Sequence, residues 1–146
     1  MSGLNESLQK IIDAQRIQGQ RFHSMQVQMK SVHEAVENSL RQACLQRHPV
    51  TNKELVSVTV APDRDKPTHV LIRAFDGKSI DFRLLPTGKL EVTTPDFSIG
   101  IVELRVSGGS AGMTDVDFVT AEERRFGLGD VLSRFFKTVL DDLEDA

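Results

Sequence analysis

Apolar side chains recur over the first third of the chain at alternating steps of four and three. The series runs Leu4, Leu8, Ile11, Gln15, Gln18, Phe22, Met25, Met29, Val32 and Val36, and continues through Ser39 and Ala43. A residue repeated every 3.5 positions stays on one face of an α-helix, so the pattern predicts a single long amphipathic helix over residues 4–45. No proline interrupts it, His48-Pro49 stops it, and Ser2 or Asn5 can cap its start. The repeat is also that of a coiled coil, and the ten positions from Leu4 to Val36 form the expected oligomerisation or partner seam.

The positions beside the seam sharpen that expectation. Ile12, Ala14, Ala35 and Leu40 occupy the flanks, where a two-stranded zipper carries charges; only Arg21 is charged and His33 titratable. Such a broad apolar stripe suits a bundle of three or more helices, or a helix lying on the protein's own sheet. Gln15 and Gln18 break the stripe next to Gly19, which costs a helix about 1 kcal/mol relative to alanine. That triplet is a candidate hinge or register-setting layer. A helix of this extent spans roughly 60 Å, about twice what a domain of some hundred residues covers, so its N-terminal half is expected to project.

Beyond residue 54 the period changes to two. Val56, Val58 and Val60 alternate with small polar residues, and the proline-flanked stretch 62–67 ends the run. Four further strands are predicted over residues 68–75, 79–85, 89–93 and 97–106, divided by Asp76-Gly77, Pro86-Thr87-Gly88 and Thr94-Pro95-Asp96. Turns this short join neighbours, so the prediction is a five-stranded antiparallel meander. In the last run the apolar parity shifts from Phe97, Ile99 and Ile101 to Val102, Leu104 and Val106, which predicts a β-bulge near Gly100.

Thr120 and Glu123 have the spacing of a capping box ahead of a C-terminal amphipathic helix. Its apolar face comprises Phe126, Leu128, Val131, Leu132, Phe135, Phe136, Val139, Leu140 and Leu143, with Gly127 and Gly129 delaying the regular helix to about Asp130. This helix is expected to cover one face of the sheet. Asp141, Asp142, Glu144 and Asp145 oppose its dipole and form an acidic end.

The formal charge of −3 hides a gradient. Residues 1–48 hold six Lys or Arg against four Asp or Glu, residues 49–112 eight against eight, and residues 113–146 four against nine. With a pI near 5.8 there is no overall attraction to a phosphate backbone, which leaves nucleic-acid binding through Arg16, Arg21, Arg41 and Arg47 as the alternative reading. No run approaches the length of a membrane span, and the N-terminal residues do not read as a signal peptide. The lone Cys44 forms no internal disulfide, in keeping with an expected cytoplasmic location.

Catalytic chemistry finds little footing. Gly108-Gly109-Ser110-Ala111-Gly112 fits the G-x-S-x-G pattern of a nucleophile elbow, but no helix start follows and His69 is the last histidine. No Gly-Lys-Ser/Thr follows these glycines either, so they make no P-loop. His23, His33, His48 and His69 share no metal-ligand spacing, and the Asp63/Asp65 and Asp115/Asp117 pairs lack the rest of a calcium loop. The sequence therefore predicts an α+β protein: a long oligomerising helix (residues 1–48) joined to a small α+β domain with an acidic end (residues 49–146). It is expected to have no cofactor, metal or catalytic residue. Its partners are expected to be proteins, in a homo-oligomer or a hetero-complex, with an adaptor, scaffold or chaperone-like role.

Overall fold

The computed structural model describes residues 2–94, 98–108 and 114–145. It is an α+β fold with a long helix at each end of an antiparallel sheet. Helix α1 (Ser2–Cys44) runs for 43 residues. Its last turn tightens through i→i−3 bonds from Leu45 N–H to Gln42 O and from Gln46 N–H to Ala43 O. The chain then reverses around His48, whose Nδ1 accepts from the N–H groups of Val50 and Thr51 at 3.1 and 3.2 Å. That tight loop brings Arg47 opposite Glu54 and feeds the first strand.

Seven strands follow: β1 (Val56–Ala61), β2 (His69–Ala74), β3 (Ser79–Leu84), β4 (Leu90–Thr93), β5 (Ser98–Gly108), β6 (Thr114–Val119) and β7 (Arg125–Gly127). They lie in sequence order, each antiparallel to the next. The expected count of five is corrected to seven: β6 and β7 extend the meander beyond the last predicted strand. Helix α2 (Leu128–Asp145) completes the chain. The expected bulge is present. Val92 faces Gly100 while Thr93 faces Ser98, leaving Ile99 as the extra residue, and Gly100 supplies the positive φ of 80° that the distortion requires.

The Thr120/Glu123 capping box is a second correction. Glu123 has φ 63°, which excludes it from a helix, and the segment is a turn closed by Thr120 N–H to Arg124 O and Glu123 N–H to Thr120 O. Phe126, expected on the C-terminal helix, lies in β7 opposite Phe118. The glycines at 127 and 129 do not hold α2 back, since it starts at Leu128 with Asp130 favourably placed in its first turn.

One hydrophobic core joins α1, the sheet and α2. Even-numbered strand residues (Val70, Ile72, Ile80, Phe82, Leu90, Val92, Val102, Leu104, Val116, Phe118) are buried on one face, under Met29, Val32, Val36 and Leu40 of α1 and Val131, Leu132, Phe135 and Val139 of α2. The sheet is strongly curled. Phe82 on β3 and Phe118 on β6 stack with ring centroids 5.6 Å apart, although a flat sheet would hold strands three places apart at about 14 Å. Within that curl one flank of α1 (Glu37, Arg41, Cys44) meets β1 and the opposite flank (Ala35, Ser39) meets β6. Helix α2 packs on β6 and β7, and its Asp142 carboxylate pairs with Lys78 of the β2–β3 turn.

The β3–β4 turn marks where α1 leaves the sheet. Gly88 has φ 86°, and a Cβ placed on it would stand 3.1 Å from Cβ of Arg21. Gly77 has a similar φ of 92° but open space around it. Gly77→Ala should therefore cost only backbone strain, whereas Gly88→Ala should cost more, about 1–2 kcal/mol in all, because the turn must also back away from the helix. Equal losses in chemical denaturation would show that the Arg21 contact does not constrain the turn.

Candidate assembly surface on the N-terminal helix

The α1 seam divides into two parts. Met29, Val32 and Val36 are fully buried by the chain's own sheet, and Phe22 and Met25 are half-buried against the edge of the same core. The breadth of the stripe there is accounted for intramolecularly: Ala35 and Leu40 pack into the same cluster, and His33, only 4% exposed, bonds through Nε2 to Glu37 Oε1 at 2.8 Å. Glu37 lies 3.8 Å from Arg64, and Lys30 lies 3.9 Å from Asp65, so the β1–β2 loop is held over this stretch of helix.

N-terminal to Arg21 none of the described strands covers the stripe. Leu4, Leu8, Ile11 and Ile12 are 63, 49, 53 and 50% exposed, and Gln15 and Gln18 are exposed beside them. Leu4, Leu8, Ile11, Gln15 and Gln18 fall on the face that the sheet covers from Phe22 onward, because the four-three spacing runs unbroken through both parts, and Ile12 flanks that face beside Leu8. The outcome is an arm of some twenty residues, roughly 30 Å long, with a bare apolar stripe down one side. Its other faces carry polar side chains with Ile17, 52% exposed, among them, and Asp13 holds both Gln9 and Arg16 by i±4 and i±3 contacts at 3.1 and 3.9 Å. The Gln15/Gln18/Gly19 interruption sits just ahead of the boundary between bare and covered helix.

Other candidate chemistry resolves into structural roles. Cys44 opens onto a cleft of about 310 Å³ between α1 and β1, lined also by Glu37, Arg41, Leu45 and Glu54. Burial pushes its thiol pKa up, and the carboxylates of Glu54 and Glu37 push it further. The thiol therefore stays protonated at neutral pH and is a poor nucleophile. On the outer face of the sheet His69 bonds to Asp81, which lies 3.9 Å from Arg83. Sequence spacing did not signal this pair, because twelve residues separate its members and only the β2–β3 register brings them together. It forms a polar cross-strand link between β2 and β3, with Arg83 beside Asp81 on the same strand.

Arg16 and Arg21 lie on the arm, while Arg41 lies in the last turn of α1, about 30 Å from Arg21, and Arg47 in the loop beyond it. Among the described residues no group of three or more His, Cys, Asp or Glu side chains is placed to hold a metal ion, and no helix is long and apolar enough to cross a membrane. Of the Gly108–Gly112 loop only Gly108, at the end of β5, falls within the described residues; the predicted turn at 95–96 and Phe97 also lie outside them. Compared with protein-family models, curated proteins and solved structures, the chain has no match. The surface has to be read from its own chemistry.

Proposed function

We propose that the chain is a non-enzymatic assembly protein, an adaptor, scaffold or chaperone-like component, that joins other chains by helix packing along its N-terminal arm. The observation that carries this reading is the bare stripe of Leu4, Leu8, Ile11 and Ile12, each about half exposed or more, on a helix whose other half is fixed in a core. Isolated exposed leucines are ordinary, but four large aliphatic side chains aligned on one projecting helix form a continuous apolar strip, the kind that marks a protein contact. In a coiled-coil-like pairing, the uncharged flanks at Ile12 and Ala14 let a partner helix approach without desolvating a charge.

The test compares the full chain with one that starts at residue 22 and so retains the whole core. The full chain is expected to sediment as a multiple of its 16.3 kDa, and the shortened chain as a monomer that melts cooperatively. A full chain that is monomeric, and that recovers the same proteins from its native source as the shortened one, would remove the arm from assembly.

A further inference from the structure

We propose that the free edge of β1 takes up an extended peptide segment as an added strand, and that the segment carries a lysine or arginine to seat beside Glu54. The site is separate from the arm and does not depend on it.

β1 is the terminal strand of the sheet, and the bonding pattern fixes which of its main-chain groups are in use. Phe75 N–H donates to Leu55 O, and these two residues stand opposite each other when the β1–β2 register is extended by one step. The odd-numbered residues Ser57 and Thr59 therefore turn their N–H and C=O groups towards β2. Ala74 N–H donates the other way, to Lys78 O on the β3 side, which gives the same parity. The N–H and C=O groups of Val56, Val58 and Val60 point off the sheet, and among the described residues none of them has a hydrogen-bond partner. Donors and acceptors repeated at every second residue, about 7 Å apart, fit one class of ligand, the main chain of another extended segment. Lysine, proline and bulges, which blunt the edges of other sheets, are absent from this strand: residues 55–61 are uncharged, rich in valine and regular in their pairing.

The edge also has space beside it. The cleft of about 310 Å³ between α1 and β1 touches Val56, Ser57 and Val58 in succession. Successive side chains of a strand point to opposite faces, so a cleft that meets all three runs along the edge and not over one face. Its other wall is the flank of α1 at Glu37, Arg41, Cys44 and Leu45.

The charges in that cleft choose the segment. Glu37 bonds to His33 and lies 3.8 Å from Arg64, whereas Glu54 has no cation within 4 Å among the described residues. Arg41, the one cation in the lining, is drawn back along the helix, where its Nη2 donates to Asn38 Oδ1 at 2.9 Å. The carboxylates dominate at Cys44, whose thiol pKa is raised first by burial and then by Glu54 and Glu37. A basic side chain on the added strand meets an unpaired carboxylate there. The β1 strand of a second copy does not supply one, since Val56, Ser57, Val58, Thr59, Val60 and Ala61 carry no charge.

The experiment titrates the isotope-labelled full chain with two peptides, Thr-Val-Thr-Lys-Thr-Val-Thr and the same sequence with glutamate at its centre. The lysine peptide is expected to bind at submillimolar concentration and to shift and protect the amides of Val56, Val58 and Val60. The glutamate peptide should bind about tenfold more weakly or worse, because repulsion replaces attraction. Glu54→Lys should reverse that order. Val58→Pro removes an outward N–H without touching the β2 ladder, so the chain should still melt cooperatively while losing the peptide. If that variant does not fold, the unaltered chain gives the same answer with two lysine peptides methylated on alternate main-chain nitrogens, of which one should lose binding and the other keep it. Equal binding of the two methylated peptides would overturn strand addition. Equal binding of the lysine and glutamate peptides would overturn the basic segment as occupant, and no amide shift with either at millimolar concentration would overturn the site. A dimer that Val58→Pro dissociates and Ile11→Asp does not would overturn the proposal in favour of a second copy at this edge.

Discussion

Val32→Asp is expected to abolish the folded state, whereas Ile11→Asp, on the same stripe of the same helix, leaves it unchanged. Val32 has no solvent exposure and packs in the cluster formed by both helices and the sheet, while Ile11 is 53% exposed. An unpaired carboxylate at position 32 costs several kcal/mol whether it stays charged or takes up a proton, a large part of the roughly 5–15 kcal/mol that holds a domain of this size together. Far-UV circular dichroism and thermal melting separate the two variants. A cooperative melt for Val32→Asp within a few degrees of the parent would mean that α1 is not part of the core. Destabilisation by Ile11→Asp would mean that the arm folds back onto the domain. The same pair tests assembly, because Ile11→Asp should yield a folded chain that has lost its oligomeric form.

The second large effect is expected at Phe118. Its ring is fully buried and stacks on Phe82, also fully buried, across the curl of the sheet. Truncation to alanine removes the transfer free energy of the ring and leaves a cavity that a closed curl cannot easily collapse, for a loss of about 3–5 kcal/mol. A double-mutant cycle with Phe82→Ala should return a coupling of about 0.5–1.5 kcal/mol from the ring contact. Additive losses in that cycle would indicate that β3 and β6 do not meet in solution.

The sequence made the first five strands, the bulge and the two helices legible because each rests on local chemistry: valines at period two, Asp76-Gly77 at a turn, glycine where φ is positive. Strand β6 carries the same alternation, with Val116 and Phe118 inward and Asp115 and Asp117 outward. It is no shorter than β1 to β3, but the run ahead of it is glycine-rich rather than a two- or three-residue turn, so no tight turn in the sequence ties it to β5. Strand β7 is three residues long and exists through its pairing with β6, and no local pattern encodes that pairing. The Thr120/Glu123 spacing occurs both in helix caps and in tight β-turns. Here the cross-strand pairing of Phe118 with Phe126 decides between them by drawing the segment into the sheet.

The candidate surface was legible as a stripe but not as a boundary. Leu8 and Val36 occupy equivalent seam positions, and nothing in their immediate sequence says that one meets the chain's own sheet and the other meets water. That division is set by how far a seven-stranded curl extends along the helix. Only the Gln15/Gln18/Gly19 triplet hinted at it, by weakening the stripe just before the last point the sheet can reach.

Helix α1 belongs to two bodies at once, the core and the arm. A free peptide of about twenty residues is a marginal helix in water, because the first turn fixes several residues before any hydrogen bond rewards them. In α1 that nucleus is supplied by the half clamped inside the curled sheet, and the helix propagates outward from it one bond at a time. In the assembly proposed above, the arm would therefore meet a partner already ordered, and association would lose little conformational entropy. The dependence also runs the other way. If the core loosens, the template is lost and the arm melts with it, so a damaged chain no longer presents the stripe. In the assembly proposed above, that coupling would make the helix a proofreader of the fold behind it.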